Sequence, residues 1–281
     1  MPELPEVETI ARGLHKRVAG DTIQSIWLGE KPEPLKSSPQ DIVRVVEHAK
    51  ILQVRRVGKH IVFDLSQASS RRTRGKPAGQ WIVHLGMTGR MQVTTPDTEV
   101  AKHTHAIARL ASGRELRFVD PRRFGRLAVT GAGALASEVF QAPGDEPLES
   151  QVARFIALFR GRKTPIKSAL LNQKLLSGVG NIYADESLFR AGIRPRRRAA
   201  SLSREQLRRL HSCLQEVLRE AIALGGSSVS DYVDADGEEG FFQLQHRVYG
   251  REGEPCLICE TPIKRVVIAG RSSHYCRRCQ T

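Results

Sequence analysis

The chain has no run of eighteen apolar residues, so nothing in it reads as a transmembrane helix. Its opening, MPELPEVET, carries three Glu and no apolar stretch, so no secretory signal peptide is expected there. Cysteine is scarce: there are five, and four of them crowd into one short tail. An odd count with that clustering excludes a secreted disulfide scaffold. It points instead to a metal site in a reducing compartment, which makes the cytoplasm the expected location. Acidic residues are short as well, 30 against 44 Lys plus Arg, leaving a net charge of +14 and a pI near 10.1. No internal repeat is visible. A composition 40% hydrophobic and 26% charged excludes a disordered or fibrous chain. The 281 residues are enough for about two domains.

The surplus positive charge is unevenly spread. Residues 1–140 carry 22 basic and 14 acidic groups, 141–244 carry 15 and 13, and 245–281 carry 7 and 3. Both ends are basic and the middle is nearly balanced. A polyphosphate partner accounts for this, because counterions released from nucleic acid drive such binding.

Periodicity divides the chain. Val7, Ile10, Leu14 and Val18 fall at helical spacing and predict an amphipathic first helix. Strand patterns follow at Ile61–Leu65, across Trp81–Val93 with breaks at Gly86 and Gly89, and at Phe124–Thr130. Residues 105–119 read as a hairpin turned at Ser112-Gly113. The polar, basic stretch 66–80 reads as a solvated loop, inert or touching a nucleic acid. Beyond the Gly/Pro-rich segment 131–147 a helical pattern dominates. Leu207, Leu210, Leu214, Val217, Leu218, Ala221 and Leu224 line one face, and Gly225-Gly226 ends it. Cys213 on that helix is expected to be a packed core thiol. Segment 227–244 is acidic and reads as mobile.

Two features carry chemistry. Cys256-x2-Cys259, sixteen residues, then Cys276-x2-Cys279 has the spacing of a closed four-thiolate zinc site, structural because no coordination position is left for water. Four free or disulfide-bonded thiols are the alternative. The tail is too small to fold on a core of its own, so the metal supplies folding energy. At the other end, removal of Met1 before the small Pro2 would expose a secondary amine. Terminal amines titrate near ~7.7–8.0, so a useful fraction is unprotonated at neutral pH. Attack on an aldehyde-level carbon gives an iminium, an electron sink for elimination, with Glu3 placed to shuttle protons. By residue type alone, Pro2 and Glu3 are equally an ordinary terminus and a helix cap.

The motifs Pro2-Glu3-Leu4-Pro5-Glu6-Val7-Glu8-Thr9, His84-Leu85-Gly86-Met87-Thr88-Gly89, Asp120-Pro121-Arg122-Arg123-Phe124-Gly125, Gly178-Val179-Gly180-Asn181-Ile182-Tyr183 and Val248-Tyr249-Gly250-Arg251 stand in order along the chain. Together they resemble the formamidopyrimidine-DNA glycosylase family, in its 8-oxoguanine-removing branch. The resemblance implies a base-flipping repair enzyme. It implies that Pro2 is the nucleophile at C1′ and Glu3 the general acid/base. Lys59 would serve β-elimination and phosphate contact, and Arg271 δ-elimination and phosphate binding. Met87, Arg122 and Phe124 would fill the gap left by the flipped base. By residue type, Met87 and Phe124 could be core and Arg122 a salt-bridge partner. His103, Arg162, Lys167 and Asn181 would contact DNA. Arg162 stands where relatives often carry Lys, which keeps the charge and alters the contact.

The expected fold is multidomain α+β. A leading helix and antiparallel β-sandwich, the catalytic domain, occupies 1–135. A helix-two-turn-helix DNA-binding domain occupies 148–244, and a zinc finger with one structural Zn2+ occupies 245–281. The expected partner is damaged double-stranded DNA lying between the halves, with no membrane and a monomeric chain. Two other readings remain. One is a sister enzyme acting on oxidised pyrimidines, which Arg122 and Phe124 speak against. The other is a zinc-finger DNA-binding protein without catalysis, which Pro2, Glu3, Lys59 and Arg271 speak against.

Overall fold

A computed structural model describes residues 1–67, 79–131, 144–228 and 240–281. They fall into two compact units. The first takes the residues up to 131 together with 227, 228 and 240, and the second takes 144–226 and 241–281.

The first unit is built on helix α1 (Leu4–Val18) and eight strands: β1 (Ile23–Leu28), β2 (Ala49–Val57), β3 (His60–Gln67), β4 (Gly79–His84), β5 (Arg90–Thr94), β6 (Thr104–Leu110), β7 (Glu115–Val119) and β8 (Arg126–Thr130). Two antiparallel sheets result, ordered β1-β6-β7-β5 and β2-β3-β4-β8. This is the expected sandwich with its leading helix. Glu6 reaches back to the Glu3 backbone N–H at 2.8 Å, closing a capping box, and Pro5 pre-sets the first turn. Val7, Ile10, Leu14 and Val18 are then buried to 2% exposure or less. Each contributes about 1.5–3 kcal/mol to the core. Ile61, Phe63 and Leu65 enter the same core from β3. Val62 joins Ile82 and Ala128 in a second apolar cluster, so β3 is buried on both faces.

Several expectations need correction. A second helix, α2 (Pro39–Val46), capped by Ser38, stands in the β-rich half. Ser66–Gln67 and Gly79–Gln80 belong to β3 and β4, so the predicted loop 66–80 is shorter than its composition suggests, and 68–78 lies outside the described residues. β8 begins at Arg126, two residues later than expected, because the Gly125 N–H is diverted to the Asp120 carboxylate at 2.7 Å.

The second unit holds α3 (Val152–Phe159), α4 (Ile166–Leu170), α5 (Asn181–Arg190), α6 (Arg204–Ala223) and the hairpin β9 (Lys264–Ile268) and β10 (Arg271–Tyr275). The apolar stripe of α6 is buried from Leu207 to Ala221, and Gly225 and Gly226 at φ 76° and 86° end it. Cys213 is only half-buried, on the flank of α6 rather than in the core, and burial still raises its thiol pKa. Of the acidic segment 227–244, residues 229–239 lie outside the described residues. Its end forms a 3-10 turn, Phe242–Gln245, with Phe242 fully buried. The hairpin docks on α5, where Phe189 packs with Val248, Cys256, Ile263 and Cys276. Among the described residues no helix is long and apolar enough to cross a membrane.

Candidate active site and nucleic-acid interface

Pro2 is half-buried and Glu3 buried at the start of α1. Glu6, itself 2% exposed, takes the Glu3 N–H on one carboxylate oxygen and the Ser227 N–H on the other, both at 2.8 Å. The amine end of the chain is therefore fixed by a carboxylate that sequence reasoning passed over. Lys59 sits half-buried at the tip of the β2–β3 hairpin, where Gly58 supplies the positive φ (58°) that the two-residue turn needs. Arg56 ties this turn to α1. Its Nε donates to Glu8 at 2.8 Å and its Nη1 to the Gly58 carbonyl at 3.1 Å. Pro2, Glu3 and Lys59 are thus carried by elements fastened to one another.

Met87, His103, Arg122 and Phe124 are all exposed on loops of the same unit. Met87 at 43% and Phe124 at 52% are not core residues, and Arg122 stacks its guanidinium on the Phe124 ring, 4.8 Å from the centroid. The loops bearing Met87 and Phe124 touch backbone to backbone. A Cβ on Gly86 would lie 2.5 Å from the Phe124 carbonyl carbon, so only glycine fits there. Nearby, His84 Nδ1 accepts the Gly86 N–H at 3.0 Å. Burial first, then Arg126 and Lys59, depress the His84 pKa to about 4, which keeps this nitrogen an acceptor at neutral pH.

In the second unit Arg271 is exposed and opens β10 directly after a two-residue turn, Ala269-Gly270, with both φ positive (48° and 75°). Alanine in that region costs roughly 1–2 kcal/mol. The opposite, open end of the hairpin is held by the cysteines, Cys276 following directly on Tyr275. The four Sγ atoms lie within 4.8 Å of one another, with Cys256–Cys279 at 3.8 Å, Cys259–Cys276 at 3.5 Å and Cys259–Cys279 at 3.4 Å. Tetrahedral zinc with bonds of about 2.3 Å sets sulfur–sulfur separations near ~3.8 Å, so the quartet fits the metal. Hydrogen bonds from Thr261 bring the Cys259 thiol down to about 6, while burial pushes Cys276 and Cys279 up. Bound zinc would let all four carry thiolate charge together.

Lys167, expected to contact DNA, is buried among protein groups. It is 0% exposed, its Nζ 2.6 Å from the Asp185 carboxylate and donating to the Ser272 carbonyl, also at 2.6 Å. Asp185 in turn accepts the His274 N–H at 2.9 Å. Lys167 and Asp185 therefore clamp β10 on either side of Ser273, two residues beyond Arg271. Asn181, the first residue of α5, donates to the Ser272 hydroxyl at 3.3 Å. Beside it, buried Glu186 accepts three backbone N–H groups from Arg247, Val248 and Tyr249 at 2.8–3.0 Å, and burial raises its pKa. Arg162 is exposed and donates to the Leu158 carbonyl. Asp120, Glu6, Asp185 and Glu186 are the functional carboxylates missed from sequence. Asp120 and Glu6 had a signal, their places in the motifs quoted above, and Asp185 and Glu186 had none.

A β-sandwich led by a proline-bearing helix thus stands in one chain with a basic helical unit whose hairpin carries a four-thiolate site fit for zinc. Residues 1–127 match the formamidopyrimidine-DNA glycosylase N-terminal domain, 143–233 its H2TH domain, and 253–281 the zinc finger found in FPG and IleRS. A formamidopyrimidine-DNA glycosylase of Solibacter usitatus is 43% identical, with 100% of this chain and 99% of that protein covered. The MutM (FPG) crystal structure from Thermus thermophilus superposes with a TM-score of 0.85 at 42% identity, covering 99% of this chain and 98% of that one. A Lactococcus lactis FPG mutant bound to Fapy-dG DNA gives 0.87 at 32% identity over the full length of both. The chain belongs to the formamidopyrimidine-DNA glycosylase family. It is an enzyme of that class, a DNA glycosylase with abasic-site lyase activity, and it holds one structural zinc ion.

Proposed function

We propose that the enzyme removes oxidised purines, 8-oxoguanine and formamidopyrimidines, from duplex DNA through an N-terminal proline Schiff base. Pro2 attacks C1′ of the everted nucleotide, its lone pair forming the new C–N bond as the base departs. Glu3 handles the protons of that exchange and of ring opening. Loss of a C2′ proton then expels the 3′ phosphate, with Lys59 at hand, and a second elimination expels the 5′ phosphate, with Arg271 bound to it. Water then hydrolyses the Pro2 iminium, releasing the unsaturated sugar aldehyde and the free amine, and a one-nucleotide gap with phosphate at both ends remains. Met87, Arg122 and Phe124 fill the vacated space, while His103, Arg162 and Asn181 hold the backbone. Lys167 acts from beneath by fixing β10. The enzyme works as a monomer in the cytoplasm, on its DNA.

The observation that carries this reading is the accessible Pro2 beside the buried Glu3, on a helix fastened to the hairpin of Lys59. Solved Lactococcus lactis relatives hold Fapy-dG DNA and abasic-site DNA, which supports the substrate class. One relative holds an oxidised-pyrimidine DNA, which favours a second, weaker activity on such lesions. Cleavage of duplexes carrying 8-oxoguanine, thymine glycol or an abasic site tests both. The reading requires cleavage of the first and third, with thymine glycol slower. Thymine glycol cut fastest would reverse the assignment, and no cleavage of any would end it.

Arg122 presents a planar donor fork and no acceptor. Cytosine offers O2 and N3 as acceptors on its pairing edge, whereas adenine offers N1 beside a donor. A bidentate base contact is worth about 1–3 kcal/mol, so 8-oxoguanine opposite C should be cut roughly 5- to 150-fold faster than opposite A. Arg122→Ala should narrow that ratio.

A further inference from the structure

Met87, His103, Arg122 and Phe124 come from three separate loops, and one fully buried residue meets all three: the Asp120 carboxylate bonds the first and the last, and its backbone N–H bonds the loop of His103. Asp120 is 0% exposed. Its Oδ1 accepts the Thr88 hydroxyl at 2.5 Å and the Arg122 N–H at 3.2 Å, and its Oδ2 accepts the Gly125 N–H at 2.7 Å. Its own N–H donates to the His103 carbonyl at 2.9 Å, and its carbonyl lies 2.9 Å from His105 Nε2. Thr88 adjoins Met87, and Arg122 and Gly125 bracket the turn that presents Phe124. The two main loops already touch through Gly86, so a shift in either displaces the other.

We propose that Asp120 is the positioning residue that makes opposite-base reading possible, by holding the Arg122 and Phe124 turn in register with the Met87 loop. It touches no DNA and acts through Arg122. Three acceptor contacts on one buried group fix the direction of the Arg122 backbone, and a donor fork reads a base edge only when aimed. Thr88 belongs to the same device, because its hydroxyl is the only side-chain link from the Met87 loop to Asp120 among the hydrogen bonds seen in the described residues. The inference rests on the gap-filling role proposed above for Arg122.

The test is the ratio of single-turnover cleavage rates of 8-oxoguanine opposite C and opposite A, measured with full-length enzyme. A purely structural defect lowers the active fraction and both rates alike, leaving the ratio unmoved. Asp120→Asn places an amide donor against backbone N–H groups and should bring the ratio close to that of Arg122→Ala. Thr88→Val should lower it at least threefold, and Thr88→Ser should restore it. In an Arg122→Ala background neither change should alter the ratio further, because a residue acting through Arg122 has nothing left to position. Should Asp120→Asn fail to fold, the Thr88 pair decides alone. If Arg122→Ala lowers the ratio while Thr88→Val and any folded Asp120→Asn leave it unchanged, the positioning role is overturned and the Arg122 reading stands. If Arg122→Ala itself leaves the ratio unchanged, the Arg122 reading fails and the inference falls with it.

Discussion

The two units position their functional side chains by different means. The first encloses a large apolar core between two sheets, so its loops can stay exposed and be steered by a few hydrogen bonds, as at Asp120 and Arg56. The second presents Arg271 from a hairpin whose apolar support is five buried residues, two of them cysteines that hold the metal. There the work passes to zinc, to the buried Lys167–Asp185 pair and to Glu186. Where apolar area is plentiful, polar contacts tune a site. Where it is scarce, charge and metal hold the site in place.

The largest expected effect separates the units outright. Structural zinc binding is worth about 10–16 kcal/mol in small fingers. Chelation, or Cys276→Ser, should therefore unfold the tail and abolish duplex binding. Both tryptophans, Trp27 and Trp81, belong to the first unit, so the thermal transition seen by tryptophan fluorescence should not move. A tryptophan transition that fell together with zinc would erase the distinction. Next comes the chemistry of the first unit. Glu3→Gln should slow base removal by about 10²–10⁴-fold, the usual worth of a positioned acid/base. A change below tenfold in single-turnover rate would count against that role.

Smaller is the clamp under Arg271. Removing one partner of a buried ion pair costs about 3–5 kcal/mol, so Lys167→Met should destabilise the second unit by that order, measurable by calorimetry. Lys167→Met with Asp185→Leu should recover part of it. A Lys167→Met protein of full stability that lost only DNA affinity would assign Lys167 to direct DNA contact.

The smallest effect is one of pH. Burial depresses His60 to about 3 and His84 to about 4 from an ordinary 6.5. Below pH 6.5 the unfolded chain takes up protons that the folded one refuses. The stability these residues contribute is therefore complete above pH 6.5 and lost as the pH falls toward 4 for His84 and toward 3 for His60. His84→Gln should make the fall in tryptophan-detected melting temperature between pH 6.5 and 4 shallower, and an unchanged slope would remove His84 from the account.

Legibility from sequence followed the length of the signal. α1 and α6 repeat their apolar spacing over several turns, and the cysteine quartet has a fixed spacing, so all three were readable. α2 was not, because its core, Ile42-Val43-Arg44-Val45-Val46, is β-branched and only eight residues long with its flanks. The burial of Lys167 was not legible, because neither residue type nor motif reports it. Asp120 was passed over because an Asp before Pro reads as a turn. Its partners, Thr88 and His103, lie 32 and 17 positions away and meet it only once the sheets form.

The proposed chemistry rests on the N-terminal amine. Borohydride reduction during cleavage of an 8-oxoguanine duplex, followed by peptide mapping of the adduct, tests it most directly. A single adduct on Pro2 is expected, abolished when the terminus is blocked or Met1 is retained. An adduct on Lys59, or trapping that persists with a blocked terminus, would contradict it.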